Sequence, residues 1–334
     1  KAKGFDDPEK IKPIIAFRMI RATEATSTEP VDLAHPLDTP KGFENAPAIV
    51  FGEKLANVDF DCGGNAGAVA IHMPVAQDST ILNVRINAEG AYAGFDGLPG
   101  RNSVTGNVEV VGGRIGIINS GSIAGSVIVG ARLINQTENA IAHTDFSPLV
   151  MTGFHIESKN HPALTVLERG NTSNGAMSLI DGTIEVADGS VAFDNSVGKT
   201  VYLRNVYVKG VENILQSGAQ EPVAAKDGWN CIDEYVYCDQ KPLDDDPPYE
   251  VKDTVFRVYN VIDGKQSQDP QPIMKVSQKE PSADLIAQHL WKELPIYTGQ
   301  NDGTIVATDQ PYGASPNDES DDAVTIPRFS WQRP

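Results

Sequence analysis

Six stretches of the chain share one short plan: ILNVRINAE, GNVEVVGGRIGIIN, GARLINQTENAIAH, TGFHIESKNHPALTV, DGTIEVADGSVAFDN and RNVYVKGVENILQSG. Each opens with a short run that alternates apolar and polar residues. Each then passes a polar turn and closes with a second short apolar run. The first runs are anchored at Ile86, Val110, Ile134, Ile156, Val186 and Val208. Most anchors lie roughly 22–24 residues apart, with a longer step into Val186, and a period of that size marks a solenoid. Period-two alternation over four or five residues specifies a strand. Between the runs stand Gly, Asn and Asp, which tolerate the left-handed backbone of tight turns. One repeat cannot bury its own apolar face, so neighbouring coils must stack to make a core.

Two solenoids fit a period of this length. A leucine-rich repeat needs a helix or a Leu-x-x-Leu-x-Leu stripe in every unit, and neither occurs. The expectation is therefore an all-β, right-handed, single-stranded parallel β-helix with loop excursions and a small C-terminal extension. Ile117, Ile141, Leu164, Phe193 and Leu215, from the second runs, are expected to stack on one inward face. Asn119, Asn195 and Gln216 follow those strands and are expected to hydrogen-bond along the stack.

The flanks divide the chain further. Residues 1–44 read as an incomplete early coil and a long polar loop, and 45–218 as the β-helix. Residues 88–102, AEGAYAGFDGLPGRN, read as a second excursion. Residues 219–300 form an extension richer in Tyr, Asp and Pro. Within it SADLIAQHLWKELP reads as one short helix, capped by Ser282, with Leu285, Ile286, His289 and Leu290 on its apolar face. Residues 301–334 form a linker.

With 45 acidic against 27 basic residues, the formal charge is −18. That sign argues against nucleic acid and against an anionic membrane surface. No apolar stretch is long enough for membrane insertion. Cys231 and Cys238, in NCIDEYVYCD, are spaced for a disulfide across a short loop, while Cys62 has no obvious partner.

The block FENAPAIVFGEKLANVDFDCGGNAGAVAIHMPVAQDSTILNVRINAEG resembles the pectate-lyase superfamily, and within it the glycosyl hydrolase family 28-related proteins. The resemblance implies a pectin-lyase-like solenoid. Several members carry two β-helices in tandem, as do double β-helix exo-β-1,3-glucanases. Their second helix opens with a turn of the form GAKGDGVTDDTAAIQ. Here YGASPNDESDDAVTI is similar through Tyr312, Gly313, Ala314, Asp318, Asp321, Asp322 and Ala323. The tail thus looks like the start of a second β-helix, a partner domain or chain. A homo-oligomer is the alternative partner. Neither the GHG and RIK triplets of polygalacturonase-type enzymes nor the WIDH and Arg-x-Pro-x-x-Arg patterns of pectate lyases occur.

The resemblance implies a secreted or cell-surface protein acting on a polysaccharide, as a glycoside hydrolase or a lyase. The other class is a non-catalytic glycan-binding or structural β-helix. The candidate catalytic residues are Asp96, His143, Asp145 and His155, since carboxylates and imidazoles move protons near neutral pH. The candidate substrate-binding residues are Asp59, Asp61, Arg101, Glu157, Lys159 and His161. Asp59 and Asp61 alternate on one strand face, about 7 Å apart, which suits paired carboxylates or a Ca2+ site. No other cofactor is expected. Residues 143–161 form the densest ionisable patch, and coils about 4.8 Å apart would make His143 a neighbour of the next coil.

Overall fold

The structure is a computed structural model. It describes residues 4–17, 20–22, 43–45, 50–120, 125–144, 148–159, 162–166, 175–187, 189, 191–218, 221–237, 260–262, 265–267 and 273–290. In chain order the first strands are β1 (Lys12–Ala16), β2 (Ile20–Ala22), β3 (Phe43–Asn45), β4 (Lys54–Asp61), β5 (Ala68–His72), β6 (Thr80–Asn87) and β7 (Ala93–Asp96). Next come β8 (Val104–Val111), β9 (Ile115–Asn119), β10 (Ser126–Gln136), β11 (Asn139–His143), β12 (Leu149–Ser158), β13 (Leu164–Val166) and β14 (Met177–Val186). The last are β15 (Val191–Asn195), β16 (Val201–Lys209), β17 (Asn213–Ser217), β18 (Val223–Ala224), β19 (Asn230–Tyr237), β20 (Asn260–Ile262), β21 (Lys265–Ser267) and β22 (Ile273–Ser277).

Long and short strands alternate, and each kind collects into its own sheet. The long-strand sheet runs β4-β6-β8-β10-β12-β14-β16-β19-β22. The short-strand sheet runs β1-β5-β7-β9-β11-β13-β15-β17-β18. Pairing is parallel from β4 to β16 and from β1 to β17, which makes a parallel β-solenoid of about six turns. At the C-terminal end the direction reverses: β19 pairs antiparallel with β16, β22 with β19, and β18 with β17. Two small antiparallel pairs, β2–β3 and β20–β21, complete the described strands.

The core is a set of columns, one residue per coil. In the short strands Ile71, Phe95, Ile117, Ile141, Leu164, Phe193 and Leu215 are in register. All are at most 1 % exposed. Burying an aliphatic or aromatic side chain of this size stabilises by about 1.5–3 kcal/mol. In the long strands the matching column is Phe60, Ile86, Val110, Leu133, Ile156, Ile184 and Val208. Two expected anchors therefore move. Ile134 lies beside the inward column, because Leu133 occupies it. Val186 is buried but in register with Ser158, and Ile184 holds the anchor.

Each parallel long strand from β4 to β16 bends near its middle at a residue that the register skips. These residues are Asn57, Asn83, Asn107, Gly130, Gly153, Asp181 and Asn205, all with positive φ. Asn and Asp accept that conformation better than other side-chain-bearing residues. Here they also use it: Asn83 Nδ2 donates to Asn57 Oδ1 at 2.8 Å, and Asn107 Nδ2 to Asn83 Oδ1 at 2.8 Å. Further along, Asn205 Nδ2 donates to Asp181 Oδ1 at 2.7 Å. The amide ladder expected after the short strands thus sits at the bends of the long ones. Asn119 and Asn195 do bond along the stack to the next coil, to His143 and to Ser217 Oγ rather than to another amide, while Gln216 Nε2 donates to the Gly218 carbonyl two residues on.

At Gly130 and Gly153 the bend column lacks side chains, and the C-terminal segment fills the gap. A Cβ on Gly130 would strike Leu290, and one on Gly153 would meet His289. His289 Nε2 lies 2.7 Å from Asp181 Oδ2, and its Nδ1 lies 3.2 Å from Thr152 Oγ1. Leu285 is buried with Tyr207 and Cys231. The expected helix is, among the described residues, only turns and one 3-10 turn, Ala287–His289, with no side-chain cap. Leu285, His289 and Leu290 do face the protein as expected. They reach it by docking on the bent strands, and an isolated helix this short has little stability of its own.

Cys231 is a free, buried thiol, so the Cys231–Cys238 bridge is not formed. Strand β19 is paired on both sides and keeps Cys231 and Tyr237 roughly 20 Å apart along the extended chain. Cys238 follows Tyr237 and lies outside the described residues, and a disulfide needs Cα atoms within about 7 Å. Residues 292–334 also lie outside the described residues.

Candidate functional site

Ile71, Phe95 and Ile117 point into the core, and this sets the direction of their neighbours. In an extended strand the next residue faces the opposite side, so His72 and Asp96 stand on the outer face, in register with each other and with Ile118. Two residues on from Ile118, Ser120 stands just past the end of β9. His72 Nδ1 lies 3.2 Å from Asp96 Oδ2, and Ser120 Oγ donates to Asp96 Oδ1 at 2.8 Å. Three successive coils thus place one side chain each in a single line. The side chains of His72 and Asp96 are 11 % and 20 % exposed.

An ionised carboxylate only accepts hydrogen bonds, so Asp96 holds the His72 proton on Nδ1. That leaves the Nε2 lone pair as a base, without a hydrogen-bond partner among the described residues. Ser120 occupies the other carboxylate oxygen and keeps Asp96 from rotating away. Near this line lies a small apolar cluster of Val69, Ala93, Ile115 and Ala142, packed with Ile11, Tyr92 and Ile118. Arg114 covers the Tyr92 ring at 5.0 Å and bonds Glu138 at 2.6 Å. That hydrogen bond to Glu138 raises the Arg114 guanidinium above its ordinary value.

The other sequence candidates are dispersed. Asp96 itself ends strand β7, so the supposed excursion at 88–102 contains a regular coil. Arg101 is exposed beyond it and is bound through its carbonyl, which accepts from Asp78 N–H. His143 is fully buried. Asn119 Nδ2 reaches its Nδ1 at 2.9 Å, and its Nε2 faces the Gly175 carbonyl at 3.1 Å. Both ring nitrogens are engaged inside the coil, so His143 is a structural link and not a substrate-facing shuttle.

Asp59 and His155 belong to the outer face of the long-strand sheet. They share one column, Asp59, Arg85, Glu109, Arg132, His155 and Thr183. Four coil steps separate them, roughly 19 Å. Arg132 pairs with Glu109 at 3.2 Å, and His155 Nδ1 lies 2.8 Å from Thr183 Oγ1. Burial, and then Arg132, hold the His155 imidazole below its ordinary value. Asp61 accepts from Gly63 N–H at 2.9 Å and from Asn87 Nδ2 at 3.3 Å. Glu157 and Lys159 are exposed on and just after β12. Asp145 and His161 lie outside the described residues. Among the described residues no group of three or more His, Cys, Asp and Glu gathers as a metal site, and no helix is long and apolar enough to cross a membrane.

His72 and Ser120 were not singled out from sequence. Their signal was the spacing: both lie 24 positions from Asp96, one coil on either side. Aligning AIHM, AGFDG and IINS by coil puts His72 level with Asp96 and Ser120 two residues past the level position, Ile118. No protein-family model and no curated protein matches the chain.

Proposed function

We propose that this chain is a secreted or cell-surface β-solenoid that processes a polysaccharide, with His72 Nε2 as the group that takes the proton. The observation that carries this reading is the His72–Asp96–Ser120 line. A carboxylate that fixes the imidazole tautomer and orientation is what a positioned general base requires. Beside the line the half-buried Ile11 and Ile118 leave some apolar surface on which a sugar face can rest. The resemblance to the family 28-related members of the pectate-lyase superfamily supports the same class, hydrolase or lyase. So does the tail at 312–323, which resembles the opening turn of a second β-helix, the partner we expect.

The second reading is glycan binding without cleavage. It is favoured by the small exposure of the His72 ring, 11 %. Assays on β-glucans, xylans, pectins and alginates, read as new reducing ends and as absorbance of unsaturated products, decide between them. Cleavage that disappears in His72→Gln, with the thermal unfolding profile kept, is the expected result. Reducing ends alone indicate hydrolysis, and unsaturated products indicate elimination. Cleavage that survives His72→Gln overturns the role of His72. Retention on a polysaccharide with no cleavage at all establishes the binding reading.

A further inference from the structure

The antiparallel strands at the C-terminal end build a second concave surface, on the outer face of the long-strand sheet. It is a cleft of about 540 Å³. Tyr202, Arg204 and Asn205 come from β16, the last parallel strand of that sheet, and Asp181 from β14 before it. Asp233 comes from antiparallel β19, and Lys279 from the chain just after β22. Neither the parallel stack nor the reversed strands alone would enclose it.

Within this cleft the acids are already committed. Lys279 Nζ lies 2.8 Å from Asp233 Oδ1. Asp181 receives Asn205 on one oxygen and His289 on the other, both at 2.7 Å. Arg204 is different. It is exposed and has no ion pair or hydrogen bond among the described residues. Its five N–H donors are open. Tyr202 and Arg204 are two apart on one strand with inward Leu203 between them, so both project outward into the same space.

We propose that this cleft is a binding site for an uncharged sugar, separate from the His72 line. The two carboxylates and two cations of the lining cancel in formal charge, and the chain as a whole carries −18, so nothing there concentrates a polyanion. What the lining does offer is matched to a pyranose. Arg204 donates to hydroxyl oxygens, and Asn205 keeps one amide hydrogen besides the one given to Asp181. Asp181 and Asp233 keep lone pairs that accept from hydroxyl protons. The Tyr202 ring offers a flat apolar face for the C–H side of the sugar. The lining is mostly polar, with Tyr202 and Ile180 as its apolar part, which suits a ligand rich in hydroxyls better than an apolar one. The cleft stands or falls independently of the role of His72, because the two sites share no residue.

The test uses the full chain carrying His72→Gln, so that no probe is consumed. Cellohexaose, laminarihexaose, xylohexaose and, as the acidic arm, hexagalacturonate are titrated calorimetrically. Saturable binding of at least one neutral hexaose is expected, weakened about tenfold or more by Arg204→Met and by Tyr202→Ala. Arg204 is exposed, so its substitution leaves the fold intact. Neutral binding unchanged by both substitutions overturns the proposal. Binding of hexagalacturonate alone, or of no probe, overturns it as well. Loss of cleavage in His72→Gln with this binding retained separates the two sites.

Discussion

Gly153 and His289, distant in sequence, are complementary in shape: a Cβ on Gly153 would come within 2.5 Å of the His289 Cβ. The bend column that elsewhere carries Asn or Asp is bare at this coil and at Gly130, and the C-terminal segment occupies the bare stretch. His289 is then fixed from two sides, by Asp181 and by Thr152.

Gly153→Ala should therefore release this segment. The substitution also places a Cβ on a residue with φ of 64°, a strain of about 1–2 kcal/mol. Limited proteolysis should show new cleavage between residues 278 and 290. Gly153→Asn separates the causes, since Asn tolerates the conformation but not the clash. If both variants stay as protected as the parent, the bare bends are not what seats the segment.

Asn83 donates to Asn57 and accepts from Asn107, at a left-handed φ of 53°. Asn83→Ala loses both hydrogen bonds and keeps the strained backbone, so we expect a loss of about 1–3 kcal/mol in urea unfolding. Asn83→Gly relieves the strain but not the lost bonds and should cost less. Equal losses in the two variants would mean that backbone strain contributes nothing at the bend.

His155 should make stability fall in mild acid. Its imidazole is held below its ordinary value of 6.5, first by burial and then by Arg132, with Lys209 acting the same way and Glu185 and Glu157 opposing. The unfolded chain thus binds this proton more readily than the folded one. The contribution is complete above pH 6.5 and is lost as pH falls through the lower folded value. Urea midpoints measured across that window should decline with acid, and His155→Gln should flatten the decline.

Cys62 and Cys231 should resist alkylation in the native protein. Burial pushes both thiols up to about 11, and both are at most 2 % exposed. The thiolate is the reactive form, so iodoacetamide at mildly alkaline pH should label them only after denaturation. Peptide mapping without reduction should recover Cys231 unbridged; a Cys231–Cys238 cross-linked peptide would contradict the extended course of β19.

The stack was legible where side chains alternate without interruption. Ile117, Ile141, Leu164, Phe193 and Leu215 lie on short strands, and their apolar runs gave the inward column directly. The long strands were harder to read. Asn135 takes a positive φ and shifts the register between Ile134 and Gln136. The apolar pair Leu133–Ile134 then gives no local clue to which member turns inward. The site was legible in part for a related reason. Asp96 was found as a polar residue near glycines. Its partners His72 and Ser120 are neighbours only across coils, and pairing across coils is a property of register rather than of local pattern. His143 misled because a buried imidazole satisfied by Asn119 and a carbonyl looks, in one dimension, like an exposed one.

The reversal of direction at β18, β19 and β22 does more than enclose a cleft. A parallel stack has no natural last coil, since each coil presents the slanted hydrogen-bond pattern that the first coil of another copy could continue. Turning the final strands antiparallel changes that pattern, so the growing end no longer matches the starting one. The same reversed strands, β19 with Asp233 and β22 just before Lys279, thereby act as a stop against fibre growth by end-to-end addition.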